Sequence, residues 1–329
     1  MSAIAPALEA FFTERLIRQN HASPHTVASY RDAFRMLLSF AAEKTGKAPS
    51  DLGFEDLDAG LIGAFLEHLE QGRANTVRTR NTRLAAIRSF FRYASYREPA
   101  HAASIARVLA IPEKRMHRGI VTYLTAAESA ALLAAPNREV WVGRRDHAIL
   151  AVTLQTGVRV SELTTLNWVD VGLGAGPHIL VHGKGRKERC TPLTRHSVGV
   201  LRTWAKETGD NPEEPVFTSR RHGPLSTDAV SDLVAKYTAL GAASCPTLAT
   251  KKVTPHTLRH TCAMRLLEAG VDISVIALWL GHEHIQTTQI YLHADLTLKE
   301  KALARTAPPG TPVGRYRPPD KLLAFLESL

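Results

Sequence analysis

Seven residues in four separated stretches of this 329-residue chain carry the side chains that a phosphoryl transfer needs. Arg159 and Glu162 lie in TGVRVSEL, Lys184 in HGKGRKER, His256 and Arg259 in TPHTLRHT, and His282 and Tyr291 in LWLGHEHIQTTQIYLHAD. Arginine is always protonated and offers paired hydrogen bonds, so Arg159 and Arg259 suit the nonbridging oxygens of a phosphodiester. His282, after Gly281 at an expected turn, can donate to another. A phenol titrates near 10, so only ~0.1% is ionised at neutral pH, a cost of roughly 4 kcal/mol. Tyr291 as a nucleophile therefore needs a base, for which His256 is the candidate, and positive charge around the phenolate. Lys184 can protonate a leaving 5′-hydroxyl. Glu162 is expected to orient Arg159 or a histidine, while His260 and His293 read as structural. Transfer to a tyrosine conserves the energy of the broken phosphodiester, so the chemistry calls for neither ATP, metal nor any other cofactor.

Taken in this order, the four stretches resemble the catalytic domain of the tyrosine recombinase, or phage integrase, family, in the style of its Xer-type members. The first third resembles that family's helical core-binding domain. The resemblance implies a site-specific DNA recombinase or integrase that cleaves and rejoins strands through a 3′-phosphotyrosyl intermediate. It further implies a double-stranded DNA partner, a homotetramer on that DNA and a minor-groove contact for Lys184, and it leaves accessory recombination proteins open as further partners. A type IB topoisomerase would use the same chemistry, but the small helical first domain and the overall length favour a recombinase. A zinc hydrolase built on His256 and His260 fits poorly, because H-E-x-x-H requires a glutamate where Thr257 stands.

The composition agrees with a polyanionic partner: 41 Lys and Arg against 31 Asp and Glu give a net charge of +10. Cys190, Cys245 and Cys262 are odd in number and lack a C-x-x-C, which argues against a disulfide framework or a thiolate zinc site. No apolar run reaches the ~20 residues that span a bilayer, and Met1 to Phe12 does not read as a secretory signal. The expectation is a cytoplasmic protein without a membrane partner.

The elements that must position these residues are mainly helical, with a small β-hairpin in the catalytic domain, arranged as a two-domain DNA clamp. Residues 1–110 form the helical DNA-binding domain. Ser23 and Pro24 open one helix, with Val27, Tyr30, Phe34, Leu37 and Leu38 at helical spacing. Another starts near Asn75 and buries Leu84, Ile87, Phe91 and Ala94. Its arginines have almost no acidic residue to balance them in the sequence, which makes Arg78, Arg88 and Arg92 candidate DNA contacts. Residues 111–123 read as a basic linker whose Lys114, Arg115 and Arg118 extend that surface. The catalytic domain, 124–307, opens with a capping box at Thr125 and Glu128. Gly157 ends one helix, so Arg159 falls at a helix junction. HILVHGKGRKERCTPL reads as a hairpin with Lys184 at its tip. Residues 308–329 form a proline-rich tether with a short apolar helix, able to dock on its own or a neighbouring protomer.

Overall fold

The computed structural model of the chain describes residues 4–116, 121–183, 188–220, 223–283 and 287–291. These divide between two units, Met1–Arg118 and Gly119–Leu329, each built around its own core. Lys184, Arg118, His293 and the proline-rich tail lie outside the described residues.

The first unit is helical: α1 (Ile4–Ala10), which runs on into a π-helical stretch at Phe11–Gln19, then α2 (Pro24–Thr45), α3 (Ala59–Glu67), α4 (Val77–Ala94) and α5 (Ala102–Leu109). Helix α2 starts where its sequence dictates, with Ser23 Oγ accepting the Thr26 N–H and Pro24 in the first turn. The apolar stripe of α4, Leu84, Ile87, Phe91 and Ala94, is fully buried against Phe34 and Leu37 of α2. Aromatic rings lock this core edge to face, with Phe90 centred 5.4 Å from Phe34 and 5.6 Å from Phe11.

The second unit comprises α6 (Ala126–Ala134), α7 (Trp141–Thr156), α8 (Val160–Thr164), β1 (Val171–Gly172), β2 (His178–His182), β3 (Glu188–Pro192), α9 (Arg195–Thr208), α10 (Thr227–Gly241), α11 (Pro255–Glu268) and α12 (Ile273–Leu280). The Thr125–Glu128 capping box opens α6. Strands β2 and β3 pair antiparallel with Leu180 opposite Cys190, and the two-residue β1 adds a third strand too short to be marked by any sequence pattern. Helix α7 is buried nearly all round, from Ala148 to Leu154, because α6, α9 and α11 all pack on it.

Both α7 and α12 end in a left-handed glycine, Gly157 at φ 65° and Gly281 at φ 64°. The two ends meet closely, since a β-carbon on Gly157 would stand 2.7 Å from Leu280 Cδ2. Two sets of unsatisfied C-terminal carbonyls therefore converge in one place. Among the described residues no helix is long and apolar enough to cross a membrane.

Candidate active site

The converging helix ends form a seat for cations, because free carbonyls and the negative end of the helix dipole both attract positive charge. Three arginines occupy it. Arg259, from α11, donates through Nη1 to the Gly157 carbonyl and through Nη2 to that of Leu280, each at 2.6 Å. Arg159, the residue before α8, donates through Nη2 to the Gly281 carbonyl at 3.0 Å. Arg189, from β3, donates through Nε to the Trp279 carbonyl at 3.1 Å.

One carboxylate lies among them. Glu162 accepts from Arg159 Nη1 at 2.7 Å and from Arg189 Nη1 and Nη2 at 2.9 and 2.7 Å, and it caps α8 by accepting the Arg159 backbone N–H at 2.7 Å. Burial alone would raise its carboxyl, but the hydrogen bonds and charge of Arg189 and Arg159 hold it down at about 2. Burial lowers Arg259 to about 10, with Arg159 adding to the effect, so its guanidinium stays protonated at neutral pH. Arg259 is 4% exposed and, among the described residues, forms no ion pair with a carboxylate. Three guanidiniums around one carboxylate leave an excess of buried positive charge.

Tyr291 lies beside this cluster with 1% of its surface exposed, packed with Ala263, Met264, Ile276 and Leu280. Its hydroxyl is 2.9 Å from Nδ1 of His260, and its ring stacks with that of His282 at 6.5 Å and 14°. Burial pushes the phenol up to about 12 against the opposing charge of Arg259 and Arg159. His282 shares a 2.7 Å hydrogen bond through Nδ1 with the Thr288 hydroxyl. Burial, and then the charges of Arg259, Arg159 and Arg189, bring His282 down to about 4. Burial with His256 and Arg259 nearby does the same for His260. Both rings are neutral at pH 7.

The structure thus brings together Arg159, Glu162, Arg259, His282 and Tyr291. The phenol is hydrogen-bonded to His260, which reads as structural in the sequence, rather than to His256, the expected acceptor of its proton. The two histidines stand one turn apart on α11, and the ring of the exposed His256 is 6.5 Å from that of His260. Arg189 is absent from the sequence reading altogether. The signal for it is register: on β3 it lies opposite Val181, whose side chain is buried, so an arginine there has to find partners inside the protein.

The arginines of the first unit also divide differently from the sequence expectation. Arg78, Arg92 and Arg115 are exposed. Arg88 is instead turned inward, bonded to the Ile111 carbonyl and 3.5 Å from Glu113. Arg80 and Asn81 likewise hold the carbonyls of Pro112 and Lys114, so this face of α4 ties down the chain that leaves the unit. Lys114 pairs with Glu70 and Arg97 with Glu14, so acidic residues distant in sequence supply a balance that the local sequence does not show.

Comparison with known proteins places the whole chain in a family. The family model described as phage integrase family matches residues 122–297, and the phage integrase N-terminal SAM-like domain matches residues 10–98. The protein y4rC of Sinorhizobium fredii is 54% identical over 328 residues, covering 100% of this chain and 99% of its own. Tyrosine recombinase XerC of Pelobacter propionicus is 33% identical over 286 residues, with 87% and 90% covered. The Tn1549 transposon integrase, solved in complex with transposon right-end DNA, shares the fold with a TM-score of 0.69 at 15% identity, covering 93% of this chain and 100% of that one. With one family model spanning more than half of its length and full-length relatives at such identity, the chain belongs to the phage integrase family and is a tyrosine-type site-specific recombinase.

Proposed function

We propose that this recombinase binds double-stranded DNA and exchanges strands through a covalent 3′-phosphotyrosyl bond formed by Tyr291, with no metal or ATP in the reaction. The observation that carries this reading is the buried excess of arginine charge beside a tyrosine, since a phosphodiester supplies the anion that the cluster lacks. Arg159 and Arg259 hold its nonbridging oxygens. With Thr288 hydrogen-bonded at Nδ1, the neutral His282 has Nε2 free to donate to the same phosphate.

A phenol 1% exposed cannot meet a phosphate, so the arrangement at His260 is a resting one that Tyr291 leaves before attack. Outside that pocket the exposed ring on the same face is His256, which accepts the phenol proton as the oxygen attacks phosphorus. Lys184 protonates the departing 5′-oxygen, and attack by a second 5′-hydroxyl reverses the step. Each chain brings a single such tyrosine, and joining two duplexes breaks four strands, so the working assembly is a tetramer on DNA. Arg78, Arg92 and Arg115 contribute phosphate contacts that make binding salt-dependent.

The test is covalent trapping. Purified protein is incubated with nicked suicide duplexes, denatured, and the attached DNA sequenced. The expected result is an adduct formed in the presence of chelator, absent from Tyr291→Phe, and carrying one recurring site; an adduct that persists in the variant overturns the assignment.

A further inference from the structure

Arg189 makes three contacts that no other described residue duplicates. Its Nη1 and Nη2 grip the two oxygens of Glu162, while Nε holds the Trp279 carbonyl near the end of α12. Its side chain is 10% exposed. All three of its nitrogens donate to groups of the protein, and the paired contact among them is the grip on Glu162. The route by which it bears on Arg159 runs through that carboxylate.

Glu162 transmits it. The oxygen that accepts from Arg189 Nη1 also accepts from Arg159 Nη1, and the other oxygen caps the Arg159 backbone N–H. A carboxylate held at both oxygens by a planar fork has its orientation fixed from outside, whereas without Arg189 Glu162 would be held only by the side-chain and backbone N–H of Arg159, the residue it orients. We propose that Arg189 is a positioning residue for Arg159: it clamps Glu162 so that Arg159 presents its guanidinium in one orientation. The clamp ties β3, the start of α8 and the end of α12 into one frame. This inference rests on the reading that Arg159 contacts the scissile phosphate.

The experiment measures single-turnover adduct formation by the full-length chain on suicide duplexes bearing the site recovered by trapping. The scissile group is either a normal phosphodiester or a methylphosphonate, in which one charged nonbridging oxygen is replaced by a neutral methyl group. Arg189→Lys is expected to slow cleavage of the phosphodiester about 100-fold, the scale of a misplaced catalytic group, and Arg159→Ala to slow it at least as much. On the methylphosphonate both deficits should shrink together, because less charge needs to be held in register. A deficit in Arg189→Lys that stays the same on both substrates, while that of Arg159→Ala shrinks, would show a merely structural role and overturn the inference. If the deficit of Arg159→Ala does not shrink, the assignment of Arg159 to the phosphate fails, and the inference with it. Should Arg189→Lys not fold, the pair Glu162→Gln with Arg189→Gln replaces the ionic clamp by neutral amides, and the same substrate-selective deficit is expected of it.

Discussion

His260 Nδ1 and the phenol oxygen of Tyr291 stand 2.9 Å apart in a pocket that leaves Tyr291 only 1% exposed. The two residues form a buried hydrogen bond between a neutral imidazole and a neutral phenol, each kept uncharged by its surroundings. This bond therefore has a measurable energetic signature. In a double-mutant cycle of Tyr291→Phe and His260→Ala, chemical denaturation should return a coupling of about 1 kcal/mol, the net worth of such a bond. Additive effects would mean that the pair is not bonded.

The pH dependence of stability follows from His260 and His282, both brought down to about 4. An unfolded histidine titrates near 6.5, so between roughly pH 6.5 and 4 the unfolded chain binds more protons than the folded one. Stability from these two groups is complete above that window and is lost as pH falls through it. Glu162, held at about 2, adds a loss that begins as pH falls into the ordinary glutamate range and continues down to about 2. Melting temperature should decline from pH 6.5 to 4.5, and His260→Asn with His282→Asn should flatten that decline.

Gly157 and Gly176 have almost the same backbone angle, φ 65° and 67°, but different surroundings. A β-carbon at Gly157 would meet Leu280 Cδ2 at 2.7 Å and Cys262 Sγ at 3.2 Å, whereas at Gly176 nothing lies within 4 Å. Gly176→Ala should cost only the left-handed backbone, about 1 kcal/mol. Gly157→Ala adds overpacking and should cost about 3 kcal/mol in total. Equal losses in denaturant titrations would remove the argument that the helix ends meet closely there.

Arg88 and Arg92 lie one turn apart on α4 but should behave as opposites. Exposed Arg92 is expected to weaken duplex binding when changed to alanine and to lower the salt slope by about one, with little change in stability. Arg88→Ala removes the bonds to Ile111 and Glu113 and should lower stability by about 1 kcal/mol or more. Filter binding over a salt series, beside thermal melts, separates the two.

Capping residues at Ser23 and Thr125, the glycine after Thr156 and the alternation of β2 mark element ends through local chemistry, and local chemistry is what a sequence records directly. The placement of Arg159 at a helix junction follows from Gly157 alone. Partners brought together by folding are not legible in the same way. The spacing of four puts His256 and His260 on one face of α11, but which of them reaches Tyr291 depends on how a segment 31 residues later packs back. Arg88 reads as free because Ile111 and Glu113 are more than twenty residues away, and Arg189 reads as one more base in a basic hairpin.

The carbonyls at the ends of α7 and α12 have a thermodynamic consequence for any anion that the arginines hold. A free arginine side chain carries about 2 kcal/mol of rotamer entropy that must be surrendered when it grips a ligand. Arg159 and Arg259 have already surrendered much of theirs to main-chain atoms. On the proposed reading, an arriving phosphate would meet guanidiniums whose disorder was removed when the chain folded, and more of its electrostatic attraction would be left to appear as affinity.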